Sequence, residues 1–430
     1  MTETDPVAGI HPVAGAHPVA GTRPVAGTHP VAELAEASSS PSTGSGTAGT
    51  GSGTGGTGSG TGGTGTGTGG AGTGNGGTGS GTEETGTGNG GTGTGTGGST
   101  PPAPTGTQSM PFSRALNAGL RASLANSDRV LLMGEDIGRL GGVFRVTEGL
   151  QAEFGDRRVL DSPLAESGLV GTAIGLAMVG FRPVVEIQFD GFVFPAFDQI
   201  TTQLAKLTNR HEGALSLPVV IRIPYGGHIG AVEHHQESPE AYFTHTPGLR
   251  VVSPSTPNDA YWMIQDAIDS NDPVIFLEPK ARYWQKGEVD LDARALPLHA
   301  SRIVRRGTDV TLVGHGAMVT TLLQAAAIAE SEGTSCEVVD LRSLSPVDYG
   351  PILDSVRRTG RMVYAQEAPG FTSLGSEVAA TVMEKAFYAL EAPVLRVSGF
   401  DTPFPPAKLE GVYLPDADRV LEAVDRALTY

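Results

Sequence analysis

The segment Asp161-Ser-Pro-Leu-Ala-Glu-Ser-Gly-Leu-Val-Gly-Thr-Ala-Ile-Gly-Leu-Ala177 is the most informative part of this chain. After Glu166 it interleaves small residues with apolar ones and contains no further charge. Such a helix is poor by intrinsic propensity, but it permits very close packing against a neighbour. Glu166, at its start, fits two interpretations. Spacing alone favours a first-turn glutamate that complements the helix dipole, and the alternative is a buried carboxylate with a shifted pKa at a functional site.

Apolar segments on both sides of this helix alternate between strand-like and helix-like runs. In the first half, strand-like runs occupy 130–133, 183–189, 218–223 and 274–277, with a helix predicted at 197–208. Runs of this kind are typical of parallel strands buried on both faces. The pattern restarts with strands at 309–313, 337–341 and 362–365 and helices at 319–332 and 377–390. The sequence therefore predicts an α/β fold of two domains with mainly parallel sheets, joined by a charged linker at 280–301.

The first 107 residues have a different composition. Residues 5–33 repeat a hexapeptide built on Pro-Val-Ala-Gly, and 39–107 consist almost entirely of Gly, Thr and Ser. A proline in every repeat removes a donor from any β-ladder, and few apolar side chains are available to offset the entropy of ordering the chain. We therefore predict a disordered extension over 1–107, in which His11, His17 and His29 are incidental.

Composition limits the partners. The formal net charge is −17 and the pI is near 5.0, whereas phosphate-rich partners require clustered Lys and Arg. The single cysteine, Cys336, cannot form an intrachain disulfide, and no apolar stretch approaches the ~18 residues of a membrane span. We expect a cytoplasmic protein that binds neither nucleic acid nor a membrane.

Two further segments contain candidate functional side chains. Phe189-Asp-Gly-Phe-Val-Phe-Pro-Ala-Phe-Asp198 has four aromatic residues, which either belong to the core or form a flat apolar wall for a heteroaromatic ring. Gly226-Gly-His-Ile-Gly-Ala-Val-Glu-His-His-Gln-Glu-Ser-Pro-Glu240 is a glycine-rich loop with three histidines, none of them in the i, i+4 pairing of helical zinc sites. It predicts a catalytic histidine in a mobile loop or, alternatively, an ordinary surface loop.

Eight short motifs occur in order along 108–430: Gly134-Glu-Asp-Ile, Gly141-Gly-Val-Phe-Arg, Pro163-Leu-Ala-Glu-Ser-Gly, Glu186-Ile-Gln-Phe, Phe194-Pro-Ala-Phe-Asp-Gln, Ser238-Pro-Glu-Ala-Tyr-Phe, Glu337-Val-Val-Asp-Leu-Arg and Asp401-Thr-Pro-Phe-Pro. Together they resemble the beta subunits of thiamine diphosphate-dependent 2-oxo acid dehydrogenase complexes. The resemblance implies a pyrimidine-binding thiamine diphosphate domain at 108–290 and a transketolase C-terminal-like domain at 300–430. It also implies an α2β2 heterotetramer with an alpha subunit. This assembly would pass its acyl product to a lipoyl group on a dihydrolipoyl acyltransferase core.

The same resemblance assigns cofactor-binding residues. Glu166 matches the glutamate that hydrogen-bonds the aminopyrimidine ring of thiamine diphosphate, favouring the imino tautomer that removes the thiazolium proton. Phe192 matches an aromatic residue placed against that ring, and Leu164, in the same motif as Glu166, is expected to contact the cofactor. The chain contains no Gly-Asp-Gly segment followed by Asn, the signature that holds Mg²⁺ and the diphosphate in thiamine enzymes. We therefore expect the alpha subunit to hold Mg²⁺ and no residue of this chain to be a metal ligand.

Two catalytic roles follow in the same way. His235 matches a histidine near the reacting carbon, as a proton donor or a group that orients the lipoyl arm, and the adjacent His234 is the alternative. Glu135 matches an acid thought to relay protons between the paired sites.

The motifs do not identify a single 2-oxo acid as the substrate. Those at 238–243 and 401–405 are closer to branched-chain enzymes, which predicts 2-oxoisovalerate as substrate, with pyruvate or acetoin as alternatives. A function of another class is a non-catalytic scaffold that docks the acyltransferase through 300–430. Glu166 and His235 argue against it, because a scaffold would be free to lose them.

Overall fold

The structure is a computed structural model that describes residues 105–294 and 296–430. The extension predicted over 1–107 lies outside the described residues except for its last three. No helix in the described ranges has the length and apolar character that crossing a membrane requires.

The described chain alternates strands and helices as the sequence predicts. The strands are β1 Thr107–Pro111, β2 Val130–Gly134, β3 Val159–Asp161, β4 Arg182–Glu186, β5 Val220–Tyr225, β6 Arg250–Val252, β7 Val274–Pro279, β8 Lys286–Asp290, β9 Arg302–Arg305, β10 Val310–Gly314, β11 Cys336–Asp340, β12 Ser343–Ser345, β13 Met362–Pro369 and β14 Leu395–Gly399. The helices are α1 Phe112–Asn126, α2 Leu150–Phe154, α3 Glu166–Met178, α4 Ala205–Arg210, α5 Glu240–Thr244, α6 Pro257–Asp269, α7 Met318–Ser331, α8 Gly350–Thr359, α9 Leu374–Ala386, α10 Glu410–Tyr413 and α11 Ala417–Leu428.

The first sheet has seven strands in the order β12-β6-β7-β5-β4-β2-β3, and every neighbouring pair except β12 and β6 is parallel. Successive residues of its strands point into different cores: Leu132 and Phe276 pack on the side of α1 and α6, whereas Met133 and Ile275 pack on the side of α3. Because both faces are covered, β2, β5 and β7 are buried along their whole length, which explains their uninterrupted apolar sequence.

The second sheet has five strands in the order β14-β13-β10-β11-β9, of which only β9 runs antiparallel. Helices α7 and α11 cover one face. The other face, with Val313 and Val339, joins the same core that holds α3 and the first sheet. The prediction of two α/β units with mainly parallel sheets is confirmed.

The predicted linker over 280–301 begins too early. Lys280 is fully buried, and β8 pairs antiparallel with β1 to form a small third sheet. The helix predicted at 197–208 is also less regular than expected: a π-helical stretch, Gln199–Leu204, precedes α4. The helix that starts at Glu166 forms as predicted.

Candidate active site

The candidate residues collect at the carboxyl end of the first sheet. Gly134, the last residue of β2, pairs with Asp161 at the end of β3 and with Glu186 at the end of β4. Glu135 directly follows β2, and Glu166 opens the helix after β3. Phe192 lies in the 3₁₀ segment Asp190–Ala196 that follows β4. Parallel strands bring their carboxyl ends to one edge, which is where ligands of open α/β sheets bind.

Glu135 and Glu166 form the acidic part of this edge. Glu166 is 7% exposed, and its side chain makes no hydrogen bond to any residue that the structure describes. Glu135 Oε2 is buried and likewise has no partner within the described ranges. Burial raises the pKa of Glu135, and the negative charges of Asp136 and Glu166 raise it further. Two carboxylates whose charges act on each other and whose oxygens have unused acceptor capacity are suited to receiving and passing protons.

Aromatic rings form the wall beside these carboxylates. The ring centroids of Phe189 and Phe192 are 5.7 Å apart with an edge-to-face orientation, and Phe144 lies 5.6 Å from Phe189. Phe189 and Phe192 are both half-buried, so part of each ring faces solvent. The aromatic segment therefore forms a wall at the sheet edge rather than belonging entirely to the core. Phe144 lies in the motif Gly141-Gly-Val-Phe-Arg, and its position in the sequence did not predict that it would pack on this wall.

His235 packs against the same wall. Its ring centroid is 4.1 Å from that of Phe189 and 5.3 Å from that of Phe192, and its Nδ1 is buried without a partner in the described chain. Burial lowers the pKa of His235, and the charge of His234 lowers it further. The His234 side chain is 53% exposed and lies near Glu233. The His234 ring also stacks on Phe192, at 6.4 Å between centroids, but His235 is the less exposed of the two and lies closer to both phenylalanines.

Leu164 lies two residues before Glu166, and its side chain is 60% exposed. It therefore lies beside Glu166 in the sequence and is largely exposed to solvent. A large exposed apolar side chain beside a buried carboxylate is available to a ligand or to a second chain.

A buried ion pair lies at the start of the aromatic segment, and the sequence did not predict it. Lys280 Nζ donates to Asp190 Oδ1 at 2.8 Å, and both residues are nearly inaccessible. Asp190 Oδ2 also accepts from the backbone N–H of Glu237 at 3.0 Å. Asp190 thus fixes both the start of the aromatic segment and the end of the histidine loop. The one feature of the sequence that could have indicated this ion pair is a lysine directly after the apolar strand β7.

The cavity next to this ion pair has a volume of about 110 Å³ and lies between Asp190, Glu237 and the second-domain residues Glu367 and Tyr413. A site that encloses an organic cofactor usually needs at least about 300 Å³. Glu166, Phe192 and His235 do not line this cavity, so it does not enclose them. No group of three or more His, Cys, Asp and Glu in the described ranges is arranged to hold a metal ion.

Comparisons with known proteins agree with this architecture. Residues 108–285 match the transketolase pyrimidine-binding domain, and residues 299–420 match the transketolase C-terminal domain. A solved structure of a split-gene transketolase, an inactive beta4 tetramer, superimposes with a TM-score of 0.62 at 26% sequence identity, covering 74% of this chain and 98% of that one. The fold and the site edge thus define a thiamine-type enzyme component of two transketolase-like domains.

Curated relatives narrow the class. The pyruvate dehydrogenase E1 component subunit beta of Leifsonia xyli subsp. xyli is 73% identical over 323 residues, which cover 75% of this chain and 96% of the relative. The 3-methyl-2-oxobutanoate dehydrogenase subunit beta of Mycobacterium tuberculosis is 51% identical over 323 residues, covering 75% and 93%. The chain belongs to the family of beta subunits of thiamine diphosphate-dependent 2-oxo acid dehydrogenases, and the predicted resemblance is confirmed.

Proposed function

We propose that this chain, paired with an alpha subunit, catalyses oxidative decarboxylation of a 2-oxo acid and transfer of the acyl group to a lipoyl group on an acyltransferase core. The observation that carries the proposal is Glu166 at the sheet edge: the residue is 7% exposed, its carboxylate makes no hydrogen bond to a described residue, and its charge acts on Glu135. A helix-dipole role does not require such burial, because a first-turn glutamate acts equally well at the surface.

The residues present fit the pyrimidine half of thiamine diphosphate. Glu166 would accept a hydrogen bond from the aminopyrimidine and hold the proton that moves there, while Phe192 and Leu164 would supply apolar contact to its ring. When bound, the cofactor supplies the electron sink that allows a 2-oxo acid to lose carbon dioxide. Near the reacting carbon, His235, held against Phe189, would donate a proton or orient the lipoyl arm. Glu135 would relay protons between the paired sites of the assembly, and its raised pKa, caused mainly by burial, fits a group that holds a proton.

The other half of the site would come from the alpha subunit, which would hold Mg²⁺ and the diphosphate in an α2β2 assembly. Gly168, Gly171 and Gly175 form an exposed face of α3, and, apart from the neighbouring residues and backbone of α3 itself, no described atom lies within 4 Å of a Cβ added at any of them. This face begins next to Glu166, and its lack of side chains permits a second chain to approach closely. The split-gene transketolase that shares this fold is an inactive tetramer of beta chains, which supports the same requirement for a partner.

The observations that bear on the substrate point to two different 2-oxo acids. The 73% identical relative is named a pyruvate dehydrogenase subunit, which favours pyruvate, whereas two sequence motifs favour 2-oxoisovalerate. Because the higher identity extends over an equal number of residues, 323, we propose pyruvate as the better substrate and a branched-chain 2-oxo acid as the second candidate. The ratio of kcat/KM for pyruvate and 2-oxoisovalerate, measured on the reconstituted complex, decides between them. A ratio below one would overturn the choice of pyruvate.

The decisive experiment replaces Glu166. Glu166→Gln keeps the size of the side chain and removes its acid–base function, so we expect turnover to fall by about 10²–10⁴. Proton–deuterium exchange at the thiazolium carbon should slow in the same proportion, and the melting temperature should hardly change. Glu377→Gln is the matched control, because Glu377 is an exposed glutamate in the first turn of α9. Exchange as fast in Glu166→Gln as in the control would end the catalytic assignment.

A further inference from the structure

The loop between β5 and α5 carries His235 and is closed on itself at its base. The backbone N–H of Gly226 donates to Glu237 O at 3.0 Å. Inside the loop, Gln236 is fully buried, and its Nε2 donates to Ala231 O at 2.7 Å. These bonds fix the shape of the loop. Asp190 holds the end of the loop at Glu237, but neither that bond nor those within the loop fixes its outer part, 227–230, relative to the aromatic wall.

Two carboxylates of the second domain hold the loop from outside. The N–H of Gly227 donates to Glu367 Oε2 at 3.0 Å. The N–H groups of His228 and Gly230 donate to the two oxygens of Glu410, the second at 3.1 Å. Gly226, His228 and Gly230 have φ angles of +80°, +74° and +65°. Backbone of this kind turns nearby N–H groups to one side, which forms a concave site for an anion.

The contact between Glu410 and the loop is close and specific. A Cβ added at Gly227 would lie 3.0 Å from Glu410 Oε1 and 2.7 Å from Leu414 Cδ1, so the loop backbone rests directly on the segment that contains α10. Tyr413 and Leu414 are buried and anchor this segment to the second domain. Glu410 is the first residue of α10 and is half-buried. Its hydrogen bonds to the loop are charge-assisted, and bonds from N–H groups to a carboxylate are about twice as strong as bonds between neutral groups.

We propose that Glu410 is a positioning residue for the decarboxylation: its two carboxylate oxygens hold the loop at 228–230, so that His235 stays against Phe189 at the site. This inference rests on the proposed function. It assigns the second domain a direct role in the geometry of the active site, exerted through the backbone and without contact to the substrate. Glutamine cannot replace Glu410, because its NH₂ group would face one of the two N–H donors.

The experiment compares Glu410→Gln, Glu410→Asp and the control Glu422→Gln in the complex reconstituted with the alpha subunit. Glu422 is an exposed glutamate on α11 of the same domain. Hydrogen exchange followed by mass spectrometry should show faster exchange in 226–236 for Glu410→Gln and no change for the control. We expect kcat of Glu410→Gln to fall roughly 10- to 100-fold with little change in KM, since small misplacements of a catalytic group have effects of this size. Glu410→Asp, which keeps two acceptors on a shorter side chain, should retain intermediate activity.

A pH profile separates positioning from general loss of structure. His235 faces Asp190, Lys280, Glu233 and His234, and burial is the main cause of its lowered pKa. Releasing the loop exposes His235, so the limb of the profile that disappears in His235→Gln should move to higher pH in Glu410→Gln.

Unchanged exchange in 226–236, or an unchanged kcat, in Glu410→Gln would overturn the positioning role while leaving the proposed function intact. Absence of turnover in the unmodified complex would instead overturn the proposed function, and the positioning role with it.

Discussion

The ion pair between Lys280 and Asp190 offers a sharp test of how the site is supported. Lys280→Met keeps the length and apolar stem of the side chain and removes its charge. Asp190 is 1% exposed and would then be a buried carboxylate without a cation, held only by the N–H of Glu237. Breaking a buried pair by removing one partner typically costs about 3–5 kcal/mol, and we expect a loss of this size in the free energy of unfolding.

The double variant Asp190→Asn/Lys280→Met should recover most of that loss. Asparagine still accepts from Glu237 N–H, and no charge remains buried. Replacing a buried ion pair by neutral groups of similar volume is often neutral or stabilising. The two substitutions should therefore be strongly non-additive, with an interaction free energy of at least about 2 kcal/mol.

The deficit of Lys280→Met should also depend on pH. Burial raises the pKa of Asp190, whereas the charge of Lys280 lowers it, so removing Lys280 raises this pKa further. A carboxyl whose folded pKa is raised is protonated in the folded state at mildly acidic pH while still ionised in the unfolded chain. Stability is then lost as the pH rises through the folded pKa, so the deficit should be smaller at about pH 5 than at about pH 8.

Urea denaturation followed by tryptophan fluorescence measures these changes, because Trp262 packs against the core of the first sheet. Equal deficits in the single and double variants would refute the idea that an unpaired charge is the cause. A deficit for Lys280→Met that is the same at both pH values would refute the ionisation of Asp190.

Three further predictions concern the need for the alpha subunit, the N-terminal extension and the single cysteine. The purified chain with thiamine diphosphate, Mg²⁺ and substrate should show no turnover, and adding the alpha subunit should create it; activity of the chain alone would contradict the shared site. Deletion of 1–104 should leave the rate and the melting temperature unchanged, whereas removal of β1 should lower the melting temperature because β1 pairs with β8. Burial raises the pKa of Cys336 to about 11, so iodoacetamide should modify it slowly in the folded chain and quickly in urea; rapid labelling of the folded chain would show that this cysteine is accessible.

The sheets were predictable because their signal is local. Strands β2, β5 and β7 read as apolar runs since both of their faces are covered, and each run can be recognised without knowing its neighbours. The start of α3 at Glu166 was predictable for the same reason: a proline and a charge precede a helix of small and apolar residues.

The contacts that complete the site were not predictable, because they join distant parts of the chain. Asp190 and Lys280 are 90 residues apart, and Gly230 and Glu410 are 180 apart. A buried lysine reads as a surface residue in the sequence, which is why 280–301 was predicted as a linker. The pairing of β12 with β6 inserts a strand of the second half into the first sheet, and three residues carry too little pattern to reveal it.

A buried triad of charged side chains links three strands of the first sheet. Arg222 Nε and Nη2 donate to the two oxygens of Glu278 at 2.6 and 2.9 Å, and Nη1 donates to Glu186 at 2.6 Å. Burial alone would lower the pKa of Arg222, but the two carboxylates raise it, so the guanidinium remains charged.

The triad joins Glu186, the last residue of β4, through Arg222 in the middle of β5 to Glu278, the next-to-last residue of β7. These strands lead into the aromatic segment, the histidine loop and Lys280. Buried ion pairs contribute little net stability, so the effect of the triad is geometric: it sets the spacing of the three segments that form the site. The sheet thereby fixes the wall and the base of the histidine loop, and the outer part of that loop is left to the second domain.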